Sequence, residues 1–160
     1  MTTPAQIEAR FWKSLTANPV MMIGLDGEHD GYAQPMTAQF DENTGPIWFF
    51  ATRKSDLVTA LTSTKRAMAH YVAKGHGLFA TVHGTLGIDM DDANIDHFWK
   101  PAMAAWYEGG RNDLDLVLLR LDLEHAKIWL SGSGIGLAIK ALFGGVKAAV
   151  NDQVADVSLK

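Results

Sequence analysis

The chain has 160 residues and a mass of 17.4 kDa, enough for one domain with its own core. Hydrophobic residues make up 48% and charged residues 20%, a globular composition, and a net charge of −4 argues against nucleic-acid binding through a basic stripe. No apolar run reaches the roughly 18 residues of a membrane helix, and the lack of cysteine removes disulfides, thiol catalysis and zinc ribbons. The amino terminus also lacks the basic-then-apolar order of a signal peptide. These features lead us to expect a soluble, cytoplasmic single domain over residues 1–160, with neither nucleic acid nor membrane among its partners.

Thr3-Pro4-Ala5-Gln6 has the order of a capping box with proline at the first helical position. Ile7, Phe11 and Leu15 follow at i+4 spacing, and Asn18-Pro19 ends that helix. Val20 to Leu25 is predicted as a strand, Asp26 to Gly31 as a polar turn, and about Tyr32 to Phe40 as the second arm of a hairpin. Ile47 to Thr52 is apolar on both faces, which predicts a central strand buried on both sides. Ser55 can cap a short helix carrying Leu57, Val58 and Leu61. Strands are predicted at Arg66–Val72 and from Leu78 to about Met90.

Asp91 and Asp92 start an acidic helix whose apolar face is Ile95, Trp99, Met103 and Trp106, kinked or split at Pro101. Two further strands, Leu114–Leu123 and Ala126–Leu130, are joined through Asp122-Leu123-Glu124-His125. Gly132 to Gly136 reads as a loop, Leu137 to Phe143 as a short helix, and the stretch from Ala148 (148–160) as a loosely held tail. Six or seven strands, mostly in hairpins, with three or four helices predict a mainly β, α+β fold: an antiparallel barrel with helices outside it.

Much common chemistry is missing. The six histidines show no metal-helix spacing, so no metal site is expected, and there is neither a nucleophile elbow nor a phosphate loop ending in Gly-Lys-Ser/Thr. Gly132-Ser133-Gly134-Ile135-Gly136 imitates a dinucleotide loop but puts Leu137 where the fingerprint needs glycine.

Three features point to a cleft for a flat, phosphorylated ligand. Pro35, within Gln34-Pro35-Met36-Thr37, cannot donate to a ladder, so its strand lies at an edge or is bulged. In Phe50-Ala51-Thr52-Arg53-Lys54-Ser55 a buried strand runs into hydroxyls and two cations at a helix start, the chemistry of a phosphate site. Finally, Phe50, Phe79, Trp99, Trp106 and Trp129 supply aromatic surface near strand ends.

The ordered set Val20–Leu25, Gln34-Pro35-Met36, Ile47–Thr52, Phe98-Trp99-Lys100-Pro101-Ala102 with Ala105-Trp106, Asp115–Leu121 and Lys127-Ile128-Trp129 resembles the general stress protein 26-like branch of the pyridoxamine 5′-phosphate oxidase-like flavoproteins. The resemblance spans about residues 6–147. It implies an FMN-binding split antiparallel β-barrel with peripheral helices, forming a homodimer with flavin at the interface. It implies that Gln34, Pro35, Met36 and Thr37 lie along the isoalloxazine, Phe50 and Ala51 flank the ring, and Thr52 and Ser55 bind the phosphate end. Phe79 matches a contact from a neighbouring strand, and Trp129 matches a tryptophan that reaches the flavin of the partner subunit.

Two cations usual in the family are replaced, by Gln34 and by Leu57, and Lys54 or Arg53 could substitute from the turn before the helix. Leu130-Ser131-Gly132-Ser133-Gly134 lacks the arginine-containing substrate motif of true pyridoxamine phosphate oxidases. The implied function is that of an FMN-dependent oxidoreductase on a small molecule. A flavin-binding stress protein without turnover, storing or sensing the cofactor, is the alternative. FAD is a second candidate cofactor, whereas a deazaflavin would call for a more basic groove. No residue presents itself as catalytic acid or base.

Overall fold

The computed structural model describes residues 3–28, 30–131 and 154–159. Helix α1 (Pro4–Ala17) begins with the expected capping box: the Thr3 hydroxyl accepts from the Gln6 N–H at 3.3 Å, and the Gln6 carboxamide oxygen accepts from the Thr3 N–H at 2.9 Å. Its apolar stripe of Ile7, Phe11 and Leu15 is buried, joined by Trp12. The Tyr71 hydroxyl donates to the Ser14 carbonyl at 2.7 Å, tying the helix to the sheet.

Seven described strands make one antiparallel sheet: β1 (Val20–Leu25), β2 (Gln34–Thr37), β3 (Ile47–Thr52), β4 (Lys65–Val72), β5 (Leu78–Ile88), β6 (Leu116–Leu130) and β7 (Val154–Ser158). The order is β2-β1-β4-β5-β6-β3, with β7 also on β6. Beyond β2, the Gln39 and Trp48 main chains bridge the two outer strands and nearly close the sheet into a barrel. The inward faces of the strands, α1 and Leu57 of α2 (Asp56–Ala60) fill the main core. Among the described residues no helix is long and apolar enough to cross a membrane.

Several expectations need correction. β3 is not central; it is the last strand in the sheet order. It is apolar on both faces because Ile47, Phe49 and Ala51 enter the main core, while Trp48 and Phe50 pack in a second cluster with Ile95, Phe98, Trp99 and Tyr107. The acidic helix does split at Pro101: α3 (Asp92–Phe98) stops, and Pro101–Ala105 is a separate 3-10 turn. Trp106 therefore leaves the apolar face and stands 84% exposed. The hairpin's second arm is shorter than 32–40, pairing with β1 only over Gln34–Thr37.

The two strands expected at 114–123 and 126–130 are one. Pairing with β5 runs through His83↔His125 and then Gly84↔Leu123, which leaves Glu124 as the extra residue of a β-bulge. The apolar alternation Leu119, Leu121, Leu123 resumes as Ala126, Ile128, Leu130, one residue out of phase, and that slip is what resembled a break. The tail is not loose throughout: Val154–Ser158 pairs with His125–Trp129, and Val157 is buried. The Gly132–Gly136 loop and the Leu137–Phe143 helix lie outside the described residues.

Candidate functional site

The Gln39–Trp48 bridge determines where the barrel opens. If the ladder continued past it, Thr37 would face Phe50 and Pro35 would face Thr52; no such pairing forms. Alternation along each strand sets which backbone groups look into the gap. The Ala38 N–H donates to the Pro19 carbonyl and the Gln39 N–H to the Trp48 carbonyl, both at 2.7 Å, so Thr37 and Pro35 share the Gln39 side. On β3 the Arg53 N–H donates to the Asp115 carbonyl at 2.9 Å and the Trp48 N–H to Gln39, so Phe50 and Thr52 also address the gap. The N–H that proline lacks would have pointed into the opening, so the β1–β2 ladder loses nothing at Pro35. β2 is the edge strand that Pro35 required.

The opening is a cleft of about 620 Å³. Gln34, Pro35, Met36 and Thr37 form one wall; Phe50, Ala51, Thr52 and Ser55 form the other. Lys100, Ala102, Met103, Trp106 and Tyr107 complete it from the segment after α3, with Val20 and Gln39 also in the lining. Thus eight of the eleven residues expected at a cofactor site line one cavity. The other three sit elsewhere. Lys54 is ion-paired with Asp115 at 3.2 Å. Phe79 and Trp129 are cross-strand partners on β5 and β6, away from the cleft, with Phe79 stacked on His76 and the Lys127 ammonium 5.8 Å from the Trp129 ring centroid.

The polar chemistry of the cleft is sparse. Ser55 is the N-cap of α2, its hydroxyl accepting from the Val58 N–H at 3.3 Å while its own N–H donates to the Thr52 carbonyl at 3.1 Å. Because α2 has only five residues, its dipole is small and the hydroxyls matter more. The Tyr107 hydroxyl donates to the Ala51 carbonyl at 2.9 Å, and burial, with the Asp113 charge adding to it, pushes its phenol up to about 12. It is a fixed neutral donor rather than an acid or base. Among the described residues, Lys100 is the charged residue of the lining and no carboxylate shares the cleft with it.

Neither cation of the turn before α2 reaches the cleft, since the Arg53 Nε donates to the Leu114 carbonyl at 2.8 Å and Lys54 is held by Asp115. Leu57 is 0% exposed within the main core. Among the described residues no group of three or more His, Asp or Glu is placed to hold a metal ion.

Sequence reasoning named Trp106 among the aromatics of the cleft but did not assign Lys100, Ala102, Met103 or Tyr107 to it. It placed Trp99, Met103 and Trp106 on one helical face, and periodicity alone could not show that the chain breaks at Pro101 and turns Met103 and Trp106 to the cleft. Lys100, directly before that proline, was the available signal.

The family model described as pyridoxamine 5′-phosphate oxidase like matches residues 6–156. The chain belongs to that family. Within this pyridoxamine 5′-phosphate oxidase-like family, the chain is similar to solved general stress proteins. A general stress family protein from Xanthomonas campestris pv. campestris is 47% identical with a TM-score of 0.77, over 83% of this chain and 92% of that one. The general stress FMN/FAD binding protein from Xanthomonas citri is 46% identical with a TM-score of 0.76, over 81% and 92%. General stress protein 26 from Jannaschia sp. CCS1 is 25% identical with a TM-score of 0.75, over 98% and 99%. No curated protein matches the chain. The antiparallel split barrel is thus both the observed fold and that of the family.

Proposed function

We propose that the cleft between β2 and β3 binds FMN, and that the protein acts as a cytoplasmic, homodimeric, flavin-dependent oxidoreductase on a small molecule. The observation that carries this reading is the convergence of Gln34–Thr37, Phe50–Thr52 and Ser55 on one cavity. The residues present fit the group. A volume of about 620 Å³ lies within the roughly 300–1,000 Å³ of small-ligand sites. Phe50 and Trp106 offer flat walls, the backbone of Thr37 and Phe50 offers donors and acceptors for ring edges, and Thr52 and Ser55 offer hydroxyls for a phosphate. The likeness to the Xanthomonas citri FMN/FAD binding protein, at 46% identity, supports the same cofactor class.

Flavin, when bound, supplies hydride chemistry at its own ring. The chain's residues then bind, orient and shield it. Trp129, outside the cleft of its own subunit, is assigned to the cleft of a second copy, along with Phe79 beside it. FAD remains the second candidate, its adenylate extending beyond the cleft.

The alternative of a flavin store or sensor without turnover is favoured by one feature: among the described residues, the titratable side chains lining the cleft are Lys100 and the phenol of Tyr107, which is bonded to the Ala51 carbonyl. An absorbance spectrum of the purified protein and an FMN titration of its apo form test the binding. Flavin bands or saturable micromolar binding are expected; a colourless protein that ignores FMN would overturn it. Bleaching of the bound flavin by NADH or NADPH at a useful rate separates an oxidoreductase from a store.

A further inference from the structure

Positions 34 and 57 are Gln and Leu, and the two cations of the turn before α2, Arg53 and Lys54, are turned to Leu114 and Asp115. An acidic protein of net charge −4 nevertheless presents a cleft whose one charged lining residue, among the described residues, is a lysine. Lys100 caps the 3-10 turn Pro101–Ala105, exposed to solvent and without a carboxylate partner among the described residues. Pro101 locks the turn that follows it, and the Met103 N–H donates to the Lys100 carbonyl at 2.9 Å, which holds its main chain at the cleft wall.

Six residues after Lys100, at the end of the same turn, stands the second feature. The Trp106 N–H donates to the Met103 carbonyl at 3.0 Å, and the indole lines the cleft while 84% exposed. A large aromatic surface left open at the rim of a cavity is a ligand-contact signature rather than a packing one. Behind it, Trp99 meets Phe50 edge-on with ring centroids 5.8 Å apart, and Tyr107 is bonded to Ala51, so this wall is anchored to β3 at two points.

We infer that Lys100 is the anion-binding residue of this cleft and that Trp106 is the stacking face paired with it, so that the site takes a planar ligand carrying an anionic group. The inference rests on the flavin reading for its place but not for its test. The anion has two sources with one chemistry: the phosphate of the flavin, or the carboxylate or phosphate of a second planar molecule bound against it. A charge-assisted bond from the ammonium serves either.

The test compares wild type with Lys100→Gln, and with Lys100→Arg as the charge-retaining control. Each is titrated with FMN and riboflavin, and the FMN-loaded forms with nicotinate and nicotinamide, followed by the bound flavin's absorbance. Because Lys100 is exposed, equal melting temperatures are expected. If Lys100→Gln weakens FMN at least tenfold and leaves riboflavin within twofold, the inference holds and the anion is the flavin phosphate. If FMN is unchanged but the nicotinate response disappears, with nicotinamide unaffected in both proteins, it holds with a second ligand as the source.

Full retention of both FMN and nicotinate by Lys100→Gln would overturn the inference, as would an equal loss of FMN and riboflavin. Should wild type bind neither flavin, the flavin reading fails on its own. Tryptophan fluorescence of the apo forms with nicotinate and inorganic phosphate then decides: saturable binding lost in Lys100→Gln supports the anion site, and no binding by wild type rejects it. Trp106→Ala is expected to weaken FMN and riboflavin several-fold alike, since a stacking face does not read charge.

Discussion

Gln39 and Trp48 exchange two main-chain hydrogen bonds of 2.7 Å each, and on one side of that pair the strands part around the cleft. The bridge fixes the distance between two walls that do not pair again beyond it. Because both bonds are main-chain, the opening does not depend on which side chains line it. The site's specificity is then left to the residues that decorate the two strands and the 100–107 segment.

Thr52 and Ser55 are the hydroxyls at the phosphate end of the proposed FMN site. Thr52→Val with Ser55→Ala is expected to weaken FMN about tenfold, or about 1.4 kcal/mol, in a fluorescence titration. Lys54→Ala, whose ammonium is paired with Asp115 outside the cleft, is expected to leave the affinity within twofold. A tenfold loss in Lys54→Ala would mean the phosphate lies beyond Ser55.

Placing a lysine at position 57, where the resemblance implies a cation, is not expected to bring a cation to the cleft. Leu57 is fully buried in the main core, so Leu57→Lys removes a packed side chain and buries an ammonium without a partner. Urea denaturation should show a loss of about 3–5 kcal/mol. A variant of wild-type stability with tighter FMN binding would contradict this placement.

Tyr107→Phe deletes the bond to the Ala51 carbonyl and is expected to cost about 1 kcal/mol below pH 9. The phenols of Tyr107 and Tyr71 are both pushed by burial from 10.0 to about 12. A raised pKa means the folded state keeps a proton that the unfolded chain gives up. This contribution is therefore fully present below pH 10 and is lost as the pH climbs through about 12. The urea midpoint of wild type should fall over that window, and that of Tyr107→Phe should fall less.

Gly84 sits at the bulge opposite Glu124, where an added Cβ would lie 2.1 Å from the Asp122 carbonyl oxygen. Backbone, not a movable side chain, is in the way. Gly84→Ala is expected to destabilise by about 3 kcal/mol on chemical denaturation, while a substitution of the exposed Gly75, with nothing within 4 Å but a positive φ, should cost about 1 kcal/mol.

The proposed dimer predicts a solution mass about twice 17.4 kDa by light scattering. A monomer at micromolar concentration would remove Trp129 and Phe79 from the site and leave the cleft to one chain's residues.

Local chemistry was enough for several elements. The capping box at Thr3–Gln6, the Asn18-Pro19 stop, the Val20–Leu25 and Ile47–Thr52 strands and the break at Pro101 are each encoded within a few residues, by side-chain capping or by proline sterics. Pro35 likewise announced an edge strand, since a residue without an N–H is tolerated where no ladder needs one. The residue chemistry of Gln34–Thr37 and Phe50–Ser55, and then the resemblance, pointed to one site, and Gln34–Thr37, Phe50–Thr52 and Ser55 do share a cavity. Tertiary structure alone decided the rest. Apolarity on both faces of β3 says that something covers each face, not whether the cover is a strand or the 95–107 segment. The single-residue phase slip at Glu124 reads as a loop until β5 is seen to pair on both sides of it. The burial of Leu57, the diversion of Lys54 to Asp115 and the arrival of Lys100 in the cleft all depend on contacts between residues far apart in the chain. Periodicity has no term for such contacts; the β3–β6 ladder sets Lys54 beside Asp115, and packing of α2 onto the barrel core buries Leu57.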